Sequence, residues 1–313
     1  MTSLISKIQY AVTELSEKYN DSEWRRNRVQ ARINGPIQRE IHDSGMDVPA
    51  ADWDTLLLLD GCRADLFEEV VDTTAWDEYE RVRSGAGATN RWLERQWVDE
   101  YGDTVYVSGS PMVSRHVPGS FHQLIECWRD AVSEDLNGPD ASVVTEAAIA
   151  AHEQYPNKRV VVHYIQPHYP FVKDPDLQFT TFRNTTEWRV EGDSRAADVW
   201  EALRAGLVAK DDVWAGYRRN LEYVLEEVEE LLAAIDGRAA VTADHGNLLG
   251  EWSYPVPIRE YGHPSELVQP SLTTVPWAIR DGPRREIEHG VVTSSTEAGN
   301  REIDSHLEAL GYK

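Results

Sequence analysis

Residues 241–251 read VTADHGNLLGE, an apolar lead that runs into Asp244 and His245, then a glycine, with Glu251 close behind. A carboxylate beside an imidazole supplies two donor types of a divalent-metal site, although Asp and Gly also end strands in ordinary turns. The first reading needs a second set of donors. DTLLLLDG (54–61) closes a run of four leucines with Asp60. A carboxylate there is costly unless a cation, an arginine or backbone amides meet it. Asp60 either caps a helix beginning near Arg63 or shares a metal with Asp244 and His245, and the shared metal accounts for all three residues. Two carboxylates and one imidazole suit one divalent ion: Zn, Mn, Mg or Ca. KRVVVHYIQPH (158–168) adds His163 and His168. His163, inside a strand pattern, reads as a satisfied core histidine. His168, in a proline-stiffened loop after that strand, is placed to bind a substrate oxyanion or to protonate a leaving group.

These residues need elements to position them. Short apolar runs at 54–61, 104–111, 158–168 and 237–246, with a weaker one at 273–280, read as strands buried on both faces. Helical patterns lie between them, at 140–155 and 214–235. Strands alternating with helices predict an α/β fold with a mostly parallel sheet covered on both sides. Ligands in such folds sit at the carboxyl ends of strands, where Asp60, Asp244–His245 and His163–His168 all fall. Residues 1–50 are expected to form an N-terminal helical extension, with a helix over 3–31 whose Leu4, Ile5, Ile8, Val12 and Leu15 share a face. That face packs on the domain or gives peripheral contact with a membrane or partner. Residues 51–313 form the expected catalytic domain, with an irregular insertion at about 172–212 and a peripheral C-terminal helix at about 296–310.

The formal net charge of −23, from 54 acids against 31 lysines and arginines, is spread along the chain. With only six lysines, the composition resembles that of proteins adapted to high salt, where screening blunts the repulsion between carboxylates. The absence of a basic stripe along the chain excludes a nucleic-acid binder. Cys62 and Cys127 are too few for a disulfide framework. The sequence contains no signal-peptide pattern and no run of transmembrane length, so the expectation is a cytoplasmic protein without a membrane span.

In order and spacing, LLLLDGCRAD, VVVHYIQPHYPF, VTADHGNLLGE, YGHPSE and TTVPW resemble the alkaline-phosphatase superfamily, in its sulfatase-like branch and of a haloarchaeal type. The resemblance covers about residues 52–280 and a C-terminal helix ending ALGY. It implies an alkaline-phosphatase-like three-layer sandwich. It also implies hydrolysis or transfer at a phosphate or sulfate ester by a metal-bound side-chain nucleophile, with Asp60, Asp244 and His245 on the metal. Relatives carry the nucleophile at a helix start downstream of the first acid, which here falls in VRSGAGATNRWLERQW. Thr89 is the expected nucleophile and a metal ligand, with Ser84 the alternative, unless Thr89 only caps its helix. Asn90 and Arg91 are expected to contact the anion. His263 in YGHPSE stands where relatives place a residue on the substrate or a second metal, or is a plain loop histidine.

Neither Cys62, Cys127 nor Ser84 sits in the C/S-x-P/A-x-R pattern that formylglycine sulfatases require, and Cys62 is expected to be a small buried residue. No second-metal pair of the D-x-x-x-H kind stands between 100 and 240, so one metal is expected. The leading expectation is a hydrolase or transferase acting on a phosphate or phosphodiester of a small molecule, glycan or lipid head group. The alternatives are a sulfate-ester hydrolase without formylglycine and a catalytically idle metal- or glycan-binding scaffold.

Overall fold

The computed structural model describes residues 18, 20–42, 44–133, 136, 138–179, 196, 198–296 and 299–310. The apolar face expected at Leu4 to Leu15 lies outside these residues, as does 180–195 of the expected insertion. In chain order the helices are α1 (Ser22–Val29), running through a π-helical turn (Gln30–Asn34) into α2 (Gly35–Ile41), then α3 (Ala64–Val70), α4 (Thr89–Gln96), α5 (Pro111–His116), α6 (Ala141–Gln154), α7 (Val199–Arg204), α8 (Lys210–Ala234), α9 (Pro270–Thr273) and α10 (Asn300–Ala309). The strands are β1 (Thr55–Leu59), β2 (Glu78–Arg83), β3 (Tyr101–Ser108), β4 (Phe121–Ile125), β5 (Val132–Ser133), β6 (Gly138–Pro139), β7 (Arg159–Tyr164), β8 (Ala239–Thr242), β9 (Leu248–Trp252), β10 (Arg259–Gly262) and β11 (Thr274–Arg280).

Seven strands form one sheet in the order β2-β11-β8-β1-β7-β3-β4, and β11 alone runs against the rest. The expected mixed, mainly parallel α/β architecture is what the chain adopts. β1 lies between β7 and β8 with all five residues buried, which is why its sequence is continuously apolar. Alternation still divides it. Leu57 and Leu59 join the core under α6 and α8, with Val144, Ala148, Val224 and Leu231. Leu56 and Leu58 join the opposite core with Trp92 and Trp97 of the α4 region, Val113 of α5 and Ile303 of α10. The C-terminal helix, expected to be peripheral, packs on the outside of α5 and reaches this core through the buried Ile303.

The expected insertion is partly regular, since α7 and the start of α8 fall within it and Val172, Leu177 and Val199 are buried. The β9–β10 hairpin holds the N-terminal helices through side-chain amides. Gln30 donates to Glu260 Oε1 at 2.6 Å, Asn34 to Ser253 Oγ at 3.1 Å and Gln38 to the Tyr254 carbonyl at 2.9 Å. Among the described residues, no helix is long and apolar enough to cross a membrane.

Candidate active site

The three central strand ends converge. Asp60 follows β1, Asp244 and His245 follow β8, and His163 is the penultimate residue of β7, paired with Leu58. Gly61 makes the turn after Asp60 with φ +70°, and a Cβ there would lie 2.8 Å from Asn247 Nδ2, so only glycine lets the two loops approach this closely. Its amide donates to Asp244 Oδ1 at 3.0 Å, and Tyr217 of α8 donates to its carbonyl. Arg63 closes the other side, donating to Asp65 at 2.7 Å, Glu251 at 2.7 Å and the Asn247 carbonyl at 2.9 Å. Glu251, a short loop beyond Asp244 in sequence, therefore serves the loops and not the centre.

Thr89 is the first residue of α4, and Ala88 occupies the cap position. Its side chain is fully buried, with Oγ1 3.1 Å from His245 Nε2 and 3.4 Å from Asp60 Oδ2. Simple helix capping does not describe it. His245 Nε2 lies 3.6 Å from Asp60 and 3.5 Å from Asp244 Oδ2, and His163 Nε2 lies 3.5 Å from Asp60. Asp60, Thr89, Asp244 and His245, expected together on a metal, are all brought to one spot.

His163 joins them. Its Nδ1 meets the Tyr106 hydroxyl at 3.0 Å, which satisfies half the ring as a core histidine would be satisfied. Its Nε2, however, is buried without a hydrogen-bond partner, as is Asp244 Oδ2. Asp60, His163 and Asp244 each offer a ligand atom within 4.8 Å of the others, all buried. A desolvated carboxylate oxygen left unmet costs about 1–3 kcal/mol or more, which a cation would remove. Two carboxylates and the His163 imidazole thus offer donors for one divalent ion, with His245 and the Thr89 hydroxyl beside them and the tautomer of His245 set by its Nδ1 donating to the Gly246 carbonyl at 2.9 Å. Periodicity assigned His163 to the core because a strand residue between valines alternates inward whether or not its ring tip has chemistry to do.

Burial pushes the Asp60 carboxyl up, but the surrounding imidazoles of His163, His168 and His245 outweigh it and hold the group below the ordinary carboxylate range. Burial pushes His168 down, and pushes His263 further down with help from His168 and His245. Both rings are neutral near pH 7. His168 donates from Nδ1 to the Tyr169 carbonyl at 2.6 Å, which leaves its Nε2 as an acceptor 3.4 Å from His263 Nδ1. His263 Nδ1 also donates to Asn247 Oδ1 at 3.1 Å. Its Nε2 therefore carries the lone pair.

Ala88, Asn90, His116, Trp200, Tyr261 and His263 line a cleft of about 680 Å³, so the cavity opens beside Thr89. Of the residues expected to touch substrate, Asn90 and His263 are on this cleft. His168 is not, because it is buried one ring behind His263. Arg91 turns outward to Glu94 at 3.3 Å and Glu266 at 3.5 Å, as an exposed guanidinium at a helix start does when carboxylates are in reach. Ser84 is spent on the Ala86 carbonyl at 3.1 Å, and Cys62 is fully buried with its thiol pushed up by burial. Tyr106 and Asn247 were not anticipated. Asn247 had a signal in its adjacency to Asp244–His245, whereas nothing in TVYVSGSP marked Tyr106.

No family model matches the chain, and no curated protein matches it. Solved structures do resemble it. The integral membrane lipooligosaccharide phosphoethanolamine transferase A (EptA) of Neisseria meningitidis is 10% identical, with a TM-score of 0.47 over 89% of this chain and 59% of that one. The C-terminal periplasmic domain of phosphoethanolamine transferase EptC from Campylobacter jejuni is 14% identical, with a TM-score of 0.40 over 72% of this chain and 78% of that one. A candidate sulfatase of Bacteroides thetaiotaomicron is 11% identical, with a TM-score of 0.40 over 82% of this chain and 70% of that one. So remote a likeness assigns no residue and no substrate, and the chain spans less than two thirds of the length of EptA.

Proposed function

We propose that this protein is a metal-dependent hydrolase or transferase of phosphate esters, with Thr89 as the nucleophile. The observation that carries the reading is the Thr89 hydroxyl, buried at a helix start and set 3.1–3.5 Å from His245 and Asp60 inside a knot of carboxylates and imidazoles. A hydroxyl held only for packing needs no such company. Asp60, His163, Asp244 and His245, with Thr89 Oγ1, would hold the cation. A divalent ion there lowers the pKa of the hydroxyl and offsets charge on the phosphoryl oxygens.

The remaining work belongs to the chain's own groups. Thr89 Oγ1 attacks phosphorus as the bond to the leaving oxygen breaks, and the proton that Oγ1 loses is carried away on that oxygen, which departs into the cleft as an alcohol. The amides of the α4 start and the Asn90 side chain face the transferred anion. His263, oriented by Asn247 and His168, takes the proton of the incoming water or acceptor alcohol as that oxygen displaces Thr89 from phosphorus and returns a proton to the Thr89 hydroxyl. This passes to His263 the acid–base role that the sequence assigned to His168, and makes His168 its positioning residue.

The test compares Thr89→Ala and Thr89→Ser with the parent protein on an aryl phosphate, a phosphodiester and an aryl sulfate, alongside metal analysis. A loss of at least about 10³-fold in kcat for Thr89→Ala, with partial recovery in Thr89→Ser, is expected on the phosphate substrates. Unchanged turnover in Thr89→Ala removes the nucleophile, and turnover confined to the sulfate moves the substrate class.

A further inference from the structure

The helices α1 and α2, with the π-helical turn between them, are amphipathic in the inverted sense. Their inward side consists of amides, with Gln30, Asn34 and Gln38 buried against the β9–β10 hairpin. Their outward side carries isoleucines: Ile33, Ile37 and Ile41, four residues apart, are 41%, 39% and 62% exposed. Scattered exposed apolar residues need no explanation, but three in register along one helical row form a face.

The charge of the segment is inverted too. In a chain of net charge −23, residues 22–41 hold Arg25, Arg26, Arg28, Arg32 and Arg39 against only Glu23 and Glu40. Arg25 and Arg32 are exposed, and the Arg28 guanidinium lies 5.0 Å over the Trp24 ring near the start of the segment. An apolar stripe flanked by arginines with a tryptophan at one end has the composition of a helix lying in the interface of a bilayer.

We propose that this helical segment docks the protein on an anionic lipid surface, with the isoleucine row entering the acyl boundary and the arginines meeting lipid phosphates. Charge selects this occupant over a second copy of the chain. A twofold contact through the stripe would set one arginine row beside the other, and like charges repel. The arginines on a negatively charged bilayer gain attraction that the acidic remainder of the molecule lacks. The same continuous helical segment contributes Glu23 to the lining of the candidate active-site cleft, so the docking segment and the cleft are neighbours. The surface stands independently of the catalytic reading.

The experiment is co-sedimentation of the full chain with vesicles of phosphatidylcholine alone and of phosphatidylcholine mixed with an equal part of phosphatidylglycerol. Binding to the mixed vesicles only is expected, falling as salt is raised through the range where the Debye length drops below about 10 Å. Ile33→Ser/Ile37→Ser/Ile41→Ser should weaken partitioning by about tenfold or more, and Arg25→Gln/Arg28→Gln/Arg32→Gln should weaken it similarly and flatten the salt dependence. Both variants should keep the thermal melt of the parent, since none of these side chains is buried. The proposal is overturned if the parent stays in the supernatant with both vesicles or binds both equally. It is equally overturned if the isoleucine variant partitions unchanged, including the case where that variant instead alters the association state by sedimentation.

Discussion

β1 carries a buried carboxylate at each end, Asp54 just before it and Asp60 just after, and both are fully inaccessible. At the amino end Asp54 is completely met. Arg284 donates to both its oxygens at 2.8 and 3.0 Å, and the Arg238 amide adds a bond at 2.8 Å. Its neighbours there are equally settled: the Arg159 guanidinium lies 3.5 Å over the Trp53 ring and donates to the Pro49 carbonyl at 2.7 Å. At the carboxyl end Asp60 faces imidazoles and a threonine hydroxyl at 3.4–3.6 Å, beside a second carboxylate with an oxygen that has no hydrogen-bond partner. One end of the strand is closed by counter-charges on the chain, and the other is not. On the proposed function the same residue type at the same burial does opposite jobs, and the difference lies in who supplies the cation.

The largest effect should come from neutralising the open end. Asp60→Asn is expected to lower kcat by at least about 10³-fold and to remove bound metal, while the metal-free protein keeps a cooperative melting transition. A lost melting transition in the metal-free variant would mean that Asp60 is structural, as Asp54 is, and the contrast would disappear.

Next in size is a pH effect confined to the closed end. His152 contacts Thr55 Oγ1 at 3.1 Å and accepts from Arg285, and burial with the Arg285 charge lowers it from 6.5 to about 4. The unfolded chain binds this proton first, so stability is complete above about pH 6.5 and declines as pH falls toward 4, by about 3 kcal/mol in all. His152→Gln should flatten the urea-unfolding free energy over that window. An unchanged slope would place the titration elsewhere.

Metal addition should be comparable at the open end. At 100 times its Kd a divalent ion adds about 2.7 kcal/mol, seen as a rise in Tm. The rise should vanish in Asp60→Asn and shrink in His163→Asn, which separates a ligand from a core histidine, and it should persist in Asp54→Asn. A rise that survives Asp60→Asn would locate the ion at another cluster.

The smallest effect is Asp54→Asn itself, expected to cost about 2 kcal/mol of stability. Arg284 is 48% exposed, so water recovers part of what its partner loses. Turnover per folded molecule should stay as in the parent. The Arg284 and Arg238 partners hold the Asp54 carboxyl below its ordinary range against the upward push of burial. Its contribution is thus present above about pH 4 and fades as pH falls through the lowered value.

Legibility in the sequence followed burial. The strands β1, β3, β7, β8 and β11 were foreseen because interior strands need apolar residues on both faces. Within the seven-stranded sheet those missed, β2 (EYERVR) and β4 (FHQLI), are the two edges, where one side meets water and polar residues erase the signal. The meeting of Asp60, Thr89, Asp244 and His245 was legible because acids and hydroxyls ending apolar runs or opening helices are costly without a purpose. The nearness of His163 to them was not, because a strand position looks the same whichever way its ring tip serves. The outward turn of Arg91 was not legible either, since a basic residue beside a helix start does not announce which way it turns.

By itself the sequence determined the layered α/β order, the strand ends that carry chemistry and the residue types gathered there, because hydrophobic period and the cost of burying charge act locally along a chain. Only the tertiary structure decided that the unmet tips of His163 and Asp244 point at Asp60, that His263 and not His168 borders the cleft, and that α1–α2 turn isoleucines outward. Direction depends on how segments distant in the chain pack, and no spacing along one strand or helix records it.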